Sequence, residues 1–98
     1  MTERDEVLSV LKGEVIREKN RYGIRKIGIF GSVVRDEAGE QSDLDILVEF
    51  DPEQVSYRKY LDLEQYLQSL FSRNVEIVTT DGVSPYIMPY ISKEVICV

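Results

Sequence analysis

The chain has no histidine and a single cysteine, Cys97, among its 98 residues. An internal disulfide is thereby excluded, and so is a zinc centre of the Cys/His kind. Any metal the protein uses must be held by oxygen, which points to magnesium, calcium or manganese. Long apolar runs are missing too: nothing approaches the roughly 20 residues that cross a bilayer. The opening stretch MTERDEVLSV carries charge where a signal peptide would be apolar. A cytoplasmic protein with no membrane partner is the expectation. Lys and Arg do not cluster; their densest stretch is REKNRYGIRK (17–26), and 12 of them face 18 Asp and Glu for a net charge of −6. An acidic surface repels the nucleic-acid backbone, so no direct nucleic-acid contact is expected.

What remains is an ordinary globular composition, 43% hydrophobic and 31% charged, at a length that suits one domain over residues 1–98. No repeat or low-complexity segment divides it. Val7, Leu8, Leu11 and Val15 recur at helical spacing within 3–20, with Thr2 as a candidate cap and Gly23 as a left-handed terminator. IRKIGIF (24–30) alternates and reads as a strand, Gly31-Ser32 as a turn, and SVVRDEA (32–38) as a short helix capped by Ser32. GEQS (39–42) is a polar loop. DLDILVEF (43–50) is a second strand whose Ile46-Leu47-Val48 run suggests cover on both faces. The clearest helix is 55–71, with Tyr60, Leu63, Leu67, Leu70 and Phe71 in one stripe. NVEIVTT (74–80) alternates again. A last helix is expected to begin at Ser84-Pro85, with Pro89 limiting its length and EVICV ending as helix or short strand. Strands interleaved with helices imply an α+β fold, α/β-like: a small mixed sheet of three to four strands with helices packed on it.

The stretch FGSVVRDEAGEQSDLDILVEF concentrates the chemistry. A strand that ends in Gly31-Ser32 and turns into a helix leaves N–H groups facing outward, which favours an anion. Gly31 admits a ligand close to the backbone and Ser32 adds a hydroxyl, although the Walker ending Gly-Lys-Ser/Thr is absent. A serine-capped turn without a ligand is the plainer alternative. Asp43 and Asp45 stand two apart in a strand and so share a face, with Leu44 turned away. Like charges side by side are costly unless solvated at an edge or neutralised by a divalent cation. Glu76 lies mid-strand; should its strand neighbour the Asp strand, a third acid joins that face, and otherwise Glu76 is merely exposed. A phosphate cradle, an acid pair and a third acid are the parts that two-metal phosphoryl or nucleotidyl transfer requires.

Gly31-Ser32, ten residues, then Asp43-Leu44-Asp45 resembles the signature of the DNA polymerase β-like nucleotidyltransferase superfamily. IGIFGSVVRDEAGEQSDLDILVEF is similar to the minimal nucleotidyltransferase (MNT) family in particular, and the likeness extends over nearly the whole chain. It implies Mg2+, with two ions, and ATP as substrate. It implies a HEPN-domain toxin encoded alongside as partner, silenced by AMP transferred to one of its tyrosines, with this chain as antitoxin. Gly31 and Ser32 match the phosphate-binding pair, Asp43 and Asp45 the metal-binding pair. Glu76 falls where the family has its third acid, often Asp. Arg35 matches a common arginine that contacts phosphate or braces the acids. Asp36 stands where the family often has glycine, and Ser42 matches as a hydrogen-bonding support. A chain this short leaves nothing to build an acceptor domain, which favours a protein acceptor and a hetero- or homo-oligomer; the six tyrosines could supply contact surface, although most of them, Tyr60 especially, are better suited to filling the core or a groove. The competing reading is a catalytically silent module that masks the partner by contact, with nucleotide as ligand.

Overall fold

A computed structural model of the protein describes residues 3–35, 43–82 and 85–98. Four strands, β1 (Ile24–Phe30), β2 (Leu44–Phe50), β3 (Val75–Thr79) and β4 (Ile96–Cys97), form one mixed sheet in the order β3-β2-β1-β4. β1 runs antiparallel to β2 and to β4, whereas β2 and β3 are parallel. Parallel neighbours need a crossover, and α3 (Tyr57–Phe71) supplies it. The expected α+β class and strand count are therefore observed.

The N-terminal helical stretch is not uniform. α1 (Glu3–Val10) passes into a π-helical turn at Leu11–Val15, a 3-10 turn at Ile16–Glu18 and a final helical turn, α2 (Lys19–Tyr22). Gly13, a poor helix former, sits inside the π turn. Val7, Leu11 and Val15 are nevertheless all buried, so the apolar stripe survives the change of pitch. Gly23 ends α2 with φ +68°, the left-handed terminator expected.

Leu63 and Leu67 of α3 join those three side chains on one face of the sheet, against Ile27, Ile29, Leu44, Ile46, Val48, Val75 and Ile77. Tyr60, Leu70 and Phe71 pack at the rim of this core, completing the stripe read from sequence. Ser56 caps α3, its Oγ accepting from Lys59 N at 3.2 Å. In β1 the register slips by one residue between Ile24 and Lys26. That bulge brings Ile24 and Ile27 into the same core although they are three apart.

The opposite sheet face is covered in part by α4 (Met88–Glu94). Leu47 is buried there without belonging to the main core, which accounts for the continuous apolar run in β2. α4 begins three residues later than the expected start, with Met88 and not Pro85 as its first helical residue. Pro89, and not Pro85, occupies the first helical turn, where its missing N–H has no helical partner to lose. The tail then forms a strand: Ile96 and Cys97 pair with Ile29 and Gly28. Gly28 is required by that approach, since a Cβ there would lie 2.7 Å from the Ile96 carbonyl oxygen. Among the described residues no helix is long and apolar enough to cross a membrane. Thr2, Ser84, Asp36, the 39–42 loop and Ser42 lie outside the described residues.

Candidate active site

β1 delivers Gly31 to the edge of the sheet's second face. The glycine takes φ +78°, and a Cβ on it would fall onto Oδ2 of Asp45, 3.0 Å from the Cγ. Only glycine lets the turn and the carboxylate occupy this space. Residues 31–35 are a succession of turns with a single helix-like bond, Arg35 N to Gly31 O at 3.1 Å, so the helix expected over 32–38 is not formed within its described part. Val33, 2% exposed, anchors the turn in the core, and Ser32 beside it is half-buried.

Asp45 reaches the site because β2 alternates: Leu44 and Ile46 are fully buried in the core, which turns Asp45 to the α4 side. Parallel pairing sets Asp45 directly beside Glu76 of β3. Val75 and Ile77 are buried on the core face, leaving Glu76 on the same face as Asp45. The condition attached to Glu76 in the sequence is thus met. Burial pushes the Asp45 carboxyl above its usual range. The negative charge of Glu76, a hydrogen bond with it, and the charge of Asp43 push in the same direction, and Arg35 opposes them weakly. Acids held together so that one clings to a proton are what a divalent cation relieves.

Asp43 precedes β2 and is exposed, so its carboxylate is near enough to act on Asp45 but is not fixed by the sheet. Among the described residues no three acidic, cysteine or histidine side chains close around one point as a ready metal cage. The sheet pins two of the three expected acids, Asp45 and Glu76, and leaves the third at its threshold. Arg35 is paired with Glu94. Its Nη1 donates to both carboxylate oxygens of Glu94, at 3.1 and 3.0 Å.

Glu94 is the residue that sequence reasoning missed. Its Oε1 also accepts from Gly31 N at 2.9 Å. The single available clue was that Glu94 is the lone acid after Asp81.

Phe30, Asp45, Glu76, Val78, Gly82, Ile87 and Ile91 line a cleft of about 440 Å³. One side is acidic and the rest mostly apolar, dimensions and chemistry that suit a flat ring held beside charged groups. A larger hollow of about 660 Å³ lies elsewhere, over the stacked Tyr22 and Tyr66 and the start of α3. Two of its cations are already paired, Arg21 with Glu18 and Arg58 with Asp62, and it has no converging acids. The smaller cleft is the chemically equipped one.

The nucleotidyltransferase domain family matches residues 11–97. The protein adenylyltransferase MntA of Thermococcus cleftensis is 39% identical over 94 residues, covering 96% of this chain and 94% of that one. A solved structure assigned as a minimal nucleotidyltransferase superposes with a TM-score of 0.80 at 33% identity, over 93% of this chain and 92% of its own. A toxin–antitoxin structure with AMP-PNP shares the fold, with a TM-score of 0.69 at 20% identity over 85% of this chain and 68% of that one. Likeness of this extent, in sequence and in sheet alike, shows that the chain belongs to the nucleotidyltransferase family, in its minimal branch.

Proposed function

We propose that this nucleotidyltransferase transfers AMP from magnesium-bound ATP to a tyrosine hydroxyl of a HEPN-type toxin, and so acts as its antitoxin in the cytoplasm. The carrying observation is the Asp45–Glu76 pair, set side by side by the β2–β3 register directly against the Gly31 turn. In this reading Asp45, Glu76 and the adjacent Asp43 hold the cation, whose charge would offset that of the triphosphate and of the transition state. Two oxygen-rich side chains already in contact, with burial and like charge raising the proton affinity of one, fit a hard divalent ion.

The β- and γ-phosphates rest at Gly31 and Ser32, with Arg35 as counter-charge, and the base enters the apolar part of the cleft between Phe30, Val78 and Ile91. The acceptor oxygen attacks the α-phosphorus. Its proton passes to the facing carboxylates, the bond to the β-phosphate oxygen breaks, and pyrophosphate leaves. Ile87, a wall of this cleft, is 54% exposed, and Tyr86 and Tyr90, which flank it in the sequence, are 85% and 73% exposed. An aromatic and apolar rim around an acidic centre suits a protein acceptor. The adenylyltransferase name of the Thermococcus relative and the toxin–antitoxin that shares the fold support the same assignment.

The test is mass spectrometry of the neighbouring toxin after incubation with the protein, magnesium and ATP. A gain of one or more AMP groups on tyrosine is expected, reduced about a hundredfold or more by Asp45→Asn or Glu76→Gln. An unmodified toxin that is silenced equally by the wild type and by both variants refutes transfer and leaves masking by contact.

A further inference from the structure

Glu94 occupies the position that the proposed reading reserves for a phosphate. Its carboxylate takes the Gly31 N–H at 2.9 Å and the Arg35 guanidinium at 3.0–3.1 Å, one backbone donor and one cation converging on a single anionic group. Backbone N–H plus arginine is how phosphate oxygens are bound. We infer that Glu94 is an internal stand-in for the nucleotide's phosphates, which closes the cradle in the free protein and must be displaced before ATP binds.

Three features make the contact displaceable. The Arg35 and Glu94 side chains are 48% and 26% exposed, and ion pairs this wet contribute little. A triphosphate brings several charges and many acceptors against one carboxylate. The segment bearing Glu94 is lightly held: α4 has seven residues, and the strand that follows pairs with β1 through only two register positions. Displacement then hands Arg35 from Glu94 to the entering phosphates, so the arginine serves the closed and the loaded state in turn. Ile91, one helical turn before Glu94, is a wall of the cleft, and movement of Glu94 is passed to it through α4.

The inference rests on the triphosphate reading of the site, and the two are separable by experiment. Calorimetric titration compares magnesium-ATP, magnesium-tripolyphosphate and AMP on the wild type, Glu94→Gln and Glu94→Ala. A cradle open a tenth of the time weakens apparent affinity about tenfold, so removing the plug restores about that factor. Tighter binding of ATP and tripolyphosphate by both variants, with AMP affinity little changed, is the expected result. Hydrogen exchange at 95–98 is expected to quicken in the wild type when ATP is added. A merely structural Glu94 predicts the reverse, equal or weaker nucleotide binding in the variants; with binding abolished by Gly31→Ala, that result overturns the plug and leaves the cradle intact. Absence of ATP and tripolyphosphate binding in every form, wild type included, overturns the cradle and the plug together. Glu94→Gln keeps the shape of the side chain, so the comparison survives should Glu94→Ala fold poorly.

Discussion

Replacing Gly31 by alanine probes the site where it is tightest. Two costs are separable in the structure. The first is the backbone: at φ +78° a residue with a Cβ is penalised by about 1–2 kcal/mol. The second is collision, because the new methyl would sit on Oδ2 of Asp45, 3.0 Å from its Cγ and 3.3 Å from its Cβ. Asp45 would have to leave its rotamer, at a cost of about 0.5–1.5 kcal/mol. Together they give about 1.5–3.5 kcal/mol, or roughly 6–28 °C in Tm for a domain of this size. Calorimetric melting of the single variants and of Gly31→Ala with Asp45→Ala forms a double-mutant cycle. The collision with the carboxylate is absent in the Asp45→Ala background, where only the 3.3 Å contact with the Cβ remains, so a coupling of about 0.5–1.5 kcal/mol is expected. AMP transfer should fall about a hundredfold, since a turned Asp45 no longer faces Glu76. A variant melting within about 2 °C of the wild type, or a cycle with no coupling, refutes the close approach of turn and carboxylate.

Asp45→Asn is expected to raise stability while abolishing transfer. It removes one of two facing like charges, worth about 0.5–1 kcal/mol or roughly 2–8 °C. The sign follows from the raised pKa: the folded state binds the Asp45 proton more tightly than the unfolded state, so wild-type stability is lost as pH rises through that pKa. The melting gap between variant and wild type should therefore be widest at neutral pH and shrink on acidification, and a variant less stable at pH 7 contradicts this. Gly28→Ala is expected to push β4 from β1, since its Cβ would meet the Ile96 carbonyl oxygen at 2.7 Å and the Cys97 Cα at 3.0 Å. Overpacking of this kind costs about 1–3 kcal/mol; faster amide exchange at 96–98 is the readout, and unchanged protection there contradicts the close approach.

Legibility followed the range of the interactions. β1, β2, α3 and β3 could be read because the periodicity that buries Ile27 and Ile29, Leu63 and Leu67, or Val75 and Ile77 is local. The shared face of Asp45 and Glu76 needed the parallel register of β2 and β3, which a single strand does not encode, so it could be posed only as a condition. Glu94 was invisible for a stronger version of the same reason: its partners Gly31 and Arg35 are 63 and 59 residues away. The π and 3-10 turns between α1 and α2 leave the apolar spacing intact and so left no trace in the pattern. Pro89 interrupts a helix counted from Ser84-Pro85; counted from Met88, it sits where proline is welcome.

The crossover helix α3 joins the two strands that carry Asp45 and Glu76, and it grips them from the far side of the sheet through Leu63 and Leu67. The ladder that sets the acids side by side thus rests on hydrocarbon packing on the face opposite to them. Trimming either leucine, even by one methylene, would retune the chemistry from behind, as a lens is refocused by moving its mount.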